Sequence, residues 1–281
     1  MNESSLGMQT HVYFKKLFRI NMREKSWKYL IFALIISLLV AIIVGPDMFG
    51  NNNFEGTNSG FFTLASACIW IGIFNSIQSI CKEHEIIRAE YRQGLRISAY
   101  VFAHVLWQAL LCLAQTFVIF IVCCIFMDFS QSPHLLISAY AENFVTIYLL
   151  TFAAAILGLM ISSISGNPTT AMTIMPFVLI IQLVMSGCLF QLKGAAKVIS
   201  FFTLSRWGMV SFGCEADLYN TKANVEPVLE QFGYRYDNVL NSDLYKPEVL
   251  MLFLAWFAII AITIFNIFVC GLALKIKNRD S

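Results

Sequence analysis

The residues best suited to chemistry lie together in the stretch KEHEIIRAEYRQGL, residues 82–95, which separates two of the most apolar runs in the chain. On helical spacing Glu83, Ile86 or Ile87, Glu90 and Gly94 fall near one face, while Glu85, Arg88 and Arg92 carry charge on others. Carboxylates and guanidinium groups around an apolar anchor can hold a docked protein partner. The same groups at i, i+4 can instead pair with one another and stabilise an exposed helix. Spacing alone leaves both readings open.

Other chemistry is scarce. The apolar runs hold no Asp, Glu, Lys or Arg, and the one imidazole among them, His104, reads as a packing residue rather than a proton relay. There is no Arg-rich span of the voltage-sensor kind, no H-E-x-x-H zinc pattern, and no G-x-x-x-x-G-K-[ST] loop to cradle ATP. Catalytic and metal-binding residues are therefore expected to be absent. If the chain moves anything against a gradient, the energy must come from a separate subunit that binds ATP and magnesium, with no cofactor on this chain. The 82–95 stretch is the one inner loop with enough structure to meet such a motor.

The elements that position these residues follow from hydropathy. The chain has 281 residues, 58% of them hydrophobic and 13% charged, a composition outside the soluble range. A bilayer core takes about 20 apolar residues per helix. Six runs qualify, at 29–45, 61–80, 99–127, 143–164, 169–190 and 250–274. The expected fold is an all-α polytopic membrane protein, a single transmembrane domain over 1–281. Lys and Arg cluster before the first span, after the second and in the tail, whereas 46–60 and 128–142 carry none. Positive residues stay inside, so both termini and the 82–95 stretch are expected in the cytoplasm, with the chain in a cell (inner or plasma) membrane.

Smaller features refine that layout. Residues 8–28 place Phe14, Leu17, Phe18 and Asn21 on one helical face and most of Lys15, Lys16, Arg19 and Arg23 elsewhere, as suits a helix lying in the inner interface among membrane lipids. The run PDMFGNNNFEGTNSG after Gly45 reads as an exposed turn. SGNPTT is so short that spans four and five must form a tight hairpin, with Pro168 at a helix start and Pro176 kinking the fifth span or freeing a carbonyl. Residues 191–248 form a mixed outer element, part of it apolar enough to dip back into the membrane. Of eight cysteines, only Cys188 and Cys214 are expected at or beyond the outer surface. A disulfide between them is chemically permitted there, with two reduced thiols as the alternative.

Two stretches carry a family resemblance. GIFNSIQSICKEHEIIRAEYRQGLRISAYVFAHVL resembles the second span, coupling helix and third span of type-2 ABC exporter permeases, in particular the G-subfamily-like branch. In that pattern Glu83, Ile87, Glu90, Gly94 and Tyr100 occupy the expected places, whereas Ala89 stands where an Arg is usual and Arg88 lies one position early. GLMISSISGNPTTAMTIMPFVLIIQLVMSGCLF with ISFFTLSRWGMVSFG is similar to the family's hairpin of spans four and five, its outer Gly and its re-entrant segment. Gly187 matches that Gly, and Leu204-Ser205-Arg206-Trp207 matches the segment without its Pro.

The resemblance implies an ATPase-coupling set of Glu83, Ile86, Ile87, Arg88, Glu90 and Gly94. It implies a path between two permease copies, identical or related, lined by Ile71, Phe74 and Asn75 from the second span and by Thr173, Phe177, Ile180 and Leu183 from the fifth. Gly187, Cys188 and Leu189 would be its outer gate. Asn75 and Gln78 read equally as amides that join helices. The implied function is the permease of an ATP-driven exporter of a hydrophobic or amphiphilic drug, peptide or natural product, working by alternating access. Partners are an ABC ATP-binding subunit and the second permease, with no nucleic acid. A lipid or glycoconjugate exporter and a non-transporting anchor for an ATPase remain alternatives.

Overall fold

The computed structural model describes residues 6–23, 27–45, 54–127, 135–136, 138–189, 192–221 and 245–279. Among them there are helices and turns and no strand. Helix α1 (Leu6–Arg23) is followed by α2 (Trp27–Val44), α3 (Phe54–Ser76), α4 (His84–Arg92), α5 (Ile97–Phe126), α6 (Ala139–Ile164) and α7 (Pro168–Val184). Two short helices, α8 (Ala195–Ser200) and α9 (Leu204–Glu215), precede the long α10 (Val249–Arg279).

Among the described residues five helices are long and apolar enough to cross a membrane, and they coincide with five of the expected spans. The fifth expected span differs. Hydropathy places it at 169–190, but α7 has 17 residues, about 26 Å of helix against a hydrocarbon core of about 30 Å. The chain leaves the helix at Met185 and turns at Gly187, whose φ of +78° favours glycine. The second span also begins earlier than expected, because α3 starts at Phe54 and takes up the end of the expected turn. Residues 46–53 of that turn, and 222–244 of the outer element, lie outside the described residues.

The core forms where α3 meets α6. A Cβ on Gly72 would collide with the Thr151 carbonyl and with Ala154, and one on Gly158 with Ser76 and the Ile73 carbonyl. These glycines let the two backbones approach closely, and the Ser76 hydroxyl donates to the Ala155 carbonyl across the seam at 2.5 Å. Small residues and interhelical hydrogen bonds hold helices together where both solvent and neighbours are apolar. Helix α6 also packs on α10, α1 runs along α5, and α2 lies against α5 and α3.

Polar bonds pin this bundle at several depths. Asn75 and Gln115 exchange two amide hydrogen bonds, at 2.6 and 3.0 Å, and the Gln115 amide also donates to the Tyr29 carbonyl at 3.1 Å. One residue pair therefore joins α2, α3 and α5. At the other end, all of α9 is buried. Its N-terminus is held to α7 because Ser205 N–H donates to Gln182 Oε1 at 3.1 Å and the Ser205 hydroxyl donates to the Gln182 carbonyl. Phe61 of α3 stacks on Phe212 of α9, with ring centroids 5.0 Å apart.

Candidate functional site

The segment from Cys81 to Arg96 is built as a bracket. A 3-10 turn at Cys81–Glu83 links the end of α3 to α4, and the Ser162 hydroxyl of α6 accepts the Ile80 and Cys81 amides at 3.0 and 3.1 Å. Helix α4 is strongly amphipathic, and Ile87 is its buried residue. Ile87 belongs to one buried cluster with Ile80, Leu95, Tyr100, Val101, Ile156 and Leu159, which sets α4 against the core that α5 and α6 share. Burying such a side chain stabilises by about 1.5–3 kcal/mol. Gly94, at φ +101°, ends the helix and turns the chain toward α5.

Both carboxylates of the expected coupling face turn toward their own chain. Glu90 accepts the Tyr13 phenol at 2.7 Å and the Lys16 ammonium at 3.0 Å, which fastens α4 to α1. Burial, and after it the Glu90 hydrogen bond, push the Tyr13 phenol far up, so it stays a donor. Glu83 accepts the Tyr100 phenol of α5 at 2.9 Å and lies 3.9 Å from His104 Nε2. Gln9 adds two links between α1 and the turn after α4: its amide donates to the Gly94 carbonyl at 3.4 Å, and its oxygen accepts the Arg96 amide at 3.0 Å.

The expected six-residue coupling set thus divides. Glu83, Ile87 and Glu90 form the inward seat, whereas Ile86 and Arg88, together with Glu85 and Arg92, are exposed. Gly94 is exposed as well but acts on the backbone.

A clamp on the same surface was not foreseen. Lys277, near the end of α10, donates to the Ser163, Ile164 and Ser165 carbonyls at 2.8, 2.6 and 2.8 Å. It satisfies the C-terminal carbonyls of α6 and complements that end of the helix dipole. His84 Nε2 lies 3.2 Å from the Ser165 carbonyl and 3.3 Å from the Lys277 nitrogen. Burial, with the Lys277 charge second, lowers the His84 pKa and favours the neutral ring. Only a basic residue three from the end of a helix hinted at this role in the sequence.

The expected path residues divide too. On α7, Thr173, Phe177 and Ile180 are exposed on one stripe, Phe177 at 65%, and Leu183 is half-buried at its edge. On α3, Ile71 is 1% exposed and packs in the core of the chain itself. Asn75 is also buried, in the amide exchange with Gln115, which makes it a helix-joining residue, although its edge reaches a cavity shared with Phe74 and Gln78.

At the C-terminal end of α7, Gly187 and Cys188 are buried and Leu189 is exposed. A side chain on Gly187 would meet the Arg206 guanidinium, which donates to the Tyr245 hydroxyl at 3.3 Å. No disulfide joins Cys188 and Cys214. Instead, the Cys188 sulfur accepts the Asn58 amide at 3.2 Å. Two carboxylates there had no role in the sequence reading. Glu142 accepts the Leu135 and Leu136 amides, and buried Glu215 accepts the Thr146 hydroxyl, which in turn accepts Trp256 Nε1–H at 2.8 Å.

The chain is 26% identical over 153 residues to an ABC transporter ATP-binding/permease protein of Mycobacterium tuberculosis, a match over 53% of this chain and 18% of that protein. The chain therefore spans about a fifth of the length of that relative. The family model described as ABC-2 type transporter matches residues 8–212, from α1 through the bracket and the α6–α7 hairpin into α9. With five membrane-length helices among the described residues, the chain belongs to the ABC-2 type transporter family as a multi-pass membrane component.

Proposed function

We propose that the chain is the permease of an ATP-driven exporter, in which α4 passes the motion of an ATP-binding partner into the membrane helices. The observation that carries this reading is the two-sided character of α4. Its inner side is bolted to α1 through Glu90, to α5 through Glu83 and to α6 through Ile87. Its outer side presents Ile86, 48% exposed, between the charged groups Glu85, Arg88 and Arg92. An apolar anchor with a charged rim is the composition of a protein-docking surface.

In this reading both termini and the bracket face the cytoplasm of a cell membrane, and α7 completes six crossings. Its short length is supported by α9, whose N-terminus bonds to Gln182 of α7. The exposed stripe of Thr173, Phe177 and Ile180 faces a second permease copy, and cargo passes between the two copies. An apolar stripe with few neutral polar groups suits a hydrophobic or amphiphilic cargo such as a drug, peptide or natural product. ATP and magnesium are held by the partner on a separate chain. Binding and hydrolysis of ATP switch the path between inward and outward access, which requires different cargo affinity in the two states.

Reconstitution tests the proposal. The chain and its ATP-binding partner are placed in sealed vesicles, and uptake of a fluorescent amphiphile is followed with ATP outside. Export predicts uptake that needs ATP and disappears in a Glu90→Lys variant, where a second ammonium would face Lys16. Association with the partner without any ATP-dependent uptake across a panel of amphiphiles would overturn transport in favour of a passive anchor.

A further inference from the structure

We propose that the cavity behind α1 binds the phosphate headgroup of an anionic phospholipid taken from the inner leaflet. This rests on the functional reading for the placement of α1 and α4 at the cytoplasmic membrane surface, and the cavity shares Phe74 and Asn75 with the expected path and Ile86 with the exposed side of α4. The cavity measures about 730 Å³ and lies among α1, α2, α3, α5 and the turn that leads into α4, with Ile86 of α4 and Met172 of α7 at its sides. That is within the usual size of a small-ligand site.

Three features of the lining select the ligand. Arg23 and Lys82 bring two cations to the cavity, against a single carboxylate, Glu83, which already accepts the Tyr100 phenol. Guanidinium and ammonium groups are the usual partners of phosphate oxygens. Tyr29, Phe74 and Trp107 give the cavity an aromatic side that suits glycerol and the first part of an acyl chain. His104 also lines it, is 2% exposed, and has no hydrogen-bond partner on either ring nitrogen, the Glu83 carboxylate standing 3.9 Å from Nε2. A buried polar ring left in this way is a group awaiting a partner. The outer wall is α1, an amphipathic helix with Val12, Phe18 and Met22 exposed, so the cavity stands beside the headgroup layer that such a helix occupies.

The test uses Trp107 in the full-length chain in phosphatidylcholine vesicles that contain either phosphatidylglycerol or phosphatidylcholine brominated on the acyl chains. Quenching assigned to Trp107 is the difference between the native chain and a Trp107→Phe variant. The site predicts a clear preference for brominated phosphatidylglycerol, of about fivefold in affinity per cation. Arg23→Gln with Lys82→Gln removes the preference. Lys15→Gln with Arg19→Gln, which removes the same charge from exposed positions outside the cavity, keeps it. Equal quenching by the two lipids, or equal loss in both double variants, would overturn the site. Removal of the preference by inorganic phosphate at matched ionic strength would assign the cavity to a free anion and overturn the lipid. None of these readouts involves transport, so a failed uptake experiment and a failed lipid site are distinguishable.

Discussion

Ile86 and Ile87 are neighbours in sequence with opposite surroundings: one is 48% exposed, the other 1%. That difference is the residue-level core of the account, and it is measurable. Ile87→Ala should lower stability toward denaturant by about 2–4 kcal/mol, because it empties a packed site between α4, α5 and α6. Ile86→Ala should change it by less than about 0.5 kcal/mol. His84 supplies a pH dependence. Its pKa in the folded chain lies below the usual 6.5, so the folded state prefers the neutral ring. The stability tied to that preference is complete above about pH 6.5 and is lost as pH falls through the lowered folded value. Hydrogen exchange at residues 161–167, corrected for intrinsic rates, should therefore quicken in acid relative to neutral pH. In a His84→Phe variant that acid effect should vanish.

At the scale of elements, the α3–α6 seam decides whether the bracket has anything rigid to act on. Gly72→Ala should destabilise by about 1–3 kcal/mol, since its Cβ meets backbone atoms that cannot swing away. Gly271→Ala on α10, with nothing within 4 Å, is the matched control and should be near neutral. Denaturation in detergent of the two variants beside the native chain provides the comparison. The helices themselves were legible in the sequence, because hydropathy and length fix which runs can cross a bilayer. Their ends were less so. Phe54–Gly60 reads as a turn by composition but is helical, with Phe54, Thr57, Asn58 and Gly60 buried. Tertiary burial overrode the local signal. The early end of α7 was written in Gly187, yet nothing local told its left-handed turn from an ordinary glycine in a span.

At the scale of the whole molecule, the candidate site was legible in location and only partly in direction. Spacing and composition marked 82–95 as a helix between two apolar runs, and α4 forms there. The amphipathic pattern could not say whether Glu83 and Glu90 face a partner or the chain's own α1 and α5, because Tyr13, Lys16 and Tyr100 come from distant sequence. For the same reason Lys277 and its carbonyl clamp were invisible. What results is a helix held from behind by several spans and open in front, an arrangement that transmits force only if something docks on the open side.

Co-purification of the ATP-binding partner with the membrane-inserted chain tests that most directly, using an Ile86→Asp and Arg88→Glu double variant beside Glu90→Gln. The account predicts that the double variant loses the partner by at least about tenfold, in line with loss of a central anchor. It predicts that Glu90→Gln keeps the partner. Undiminished association of the double variant, correctly inserted and folded, would contradict α4 as the docking element.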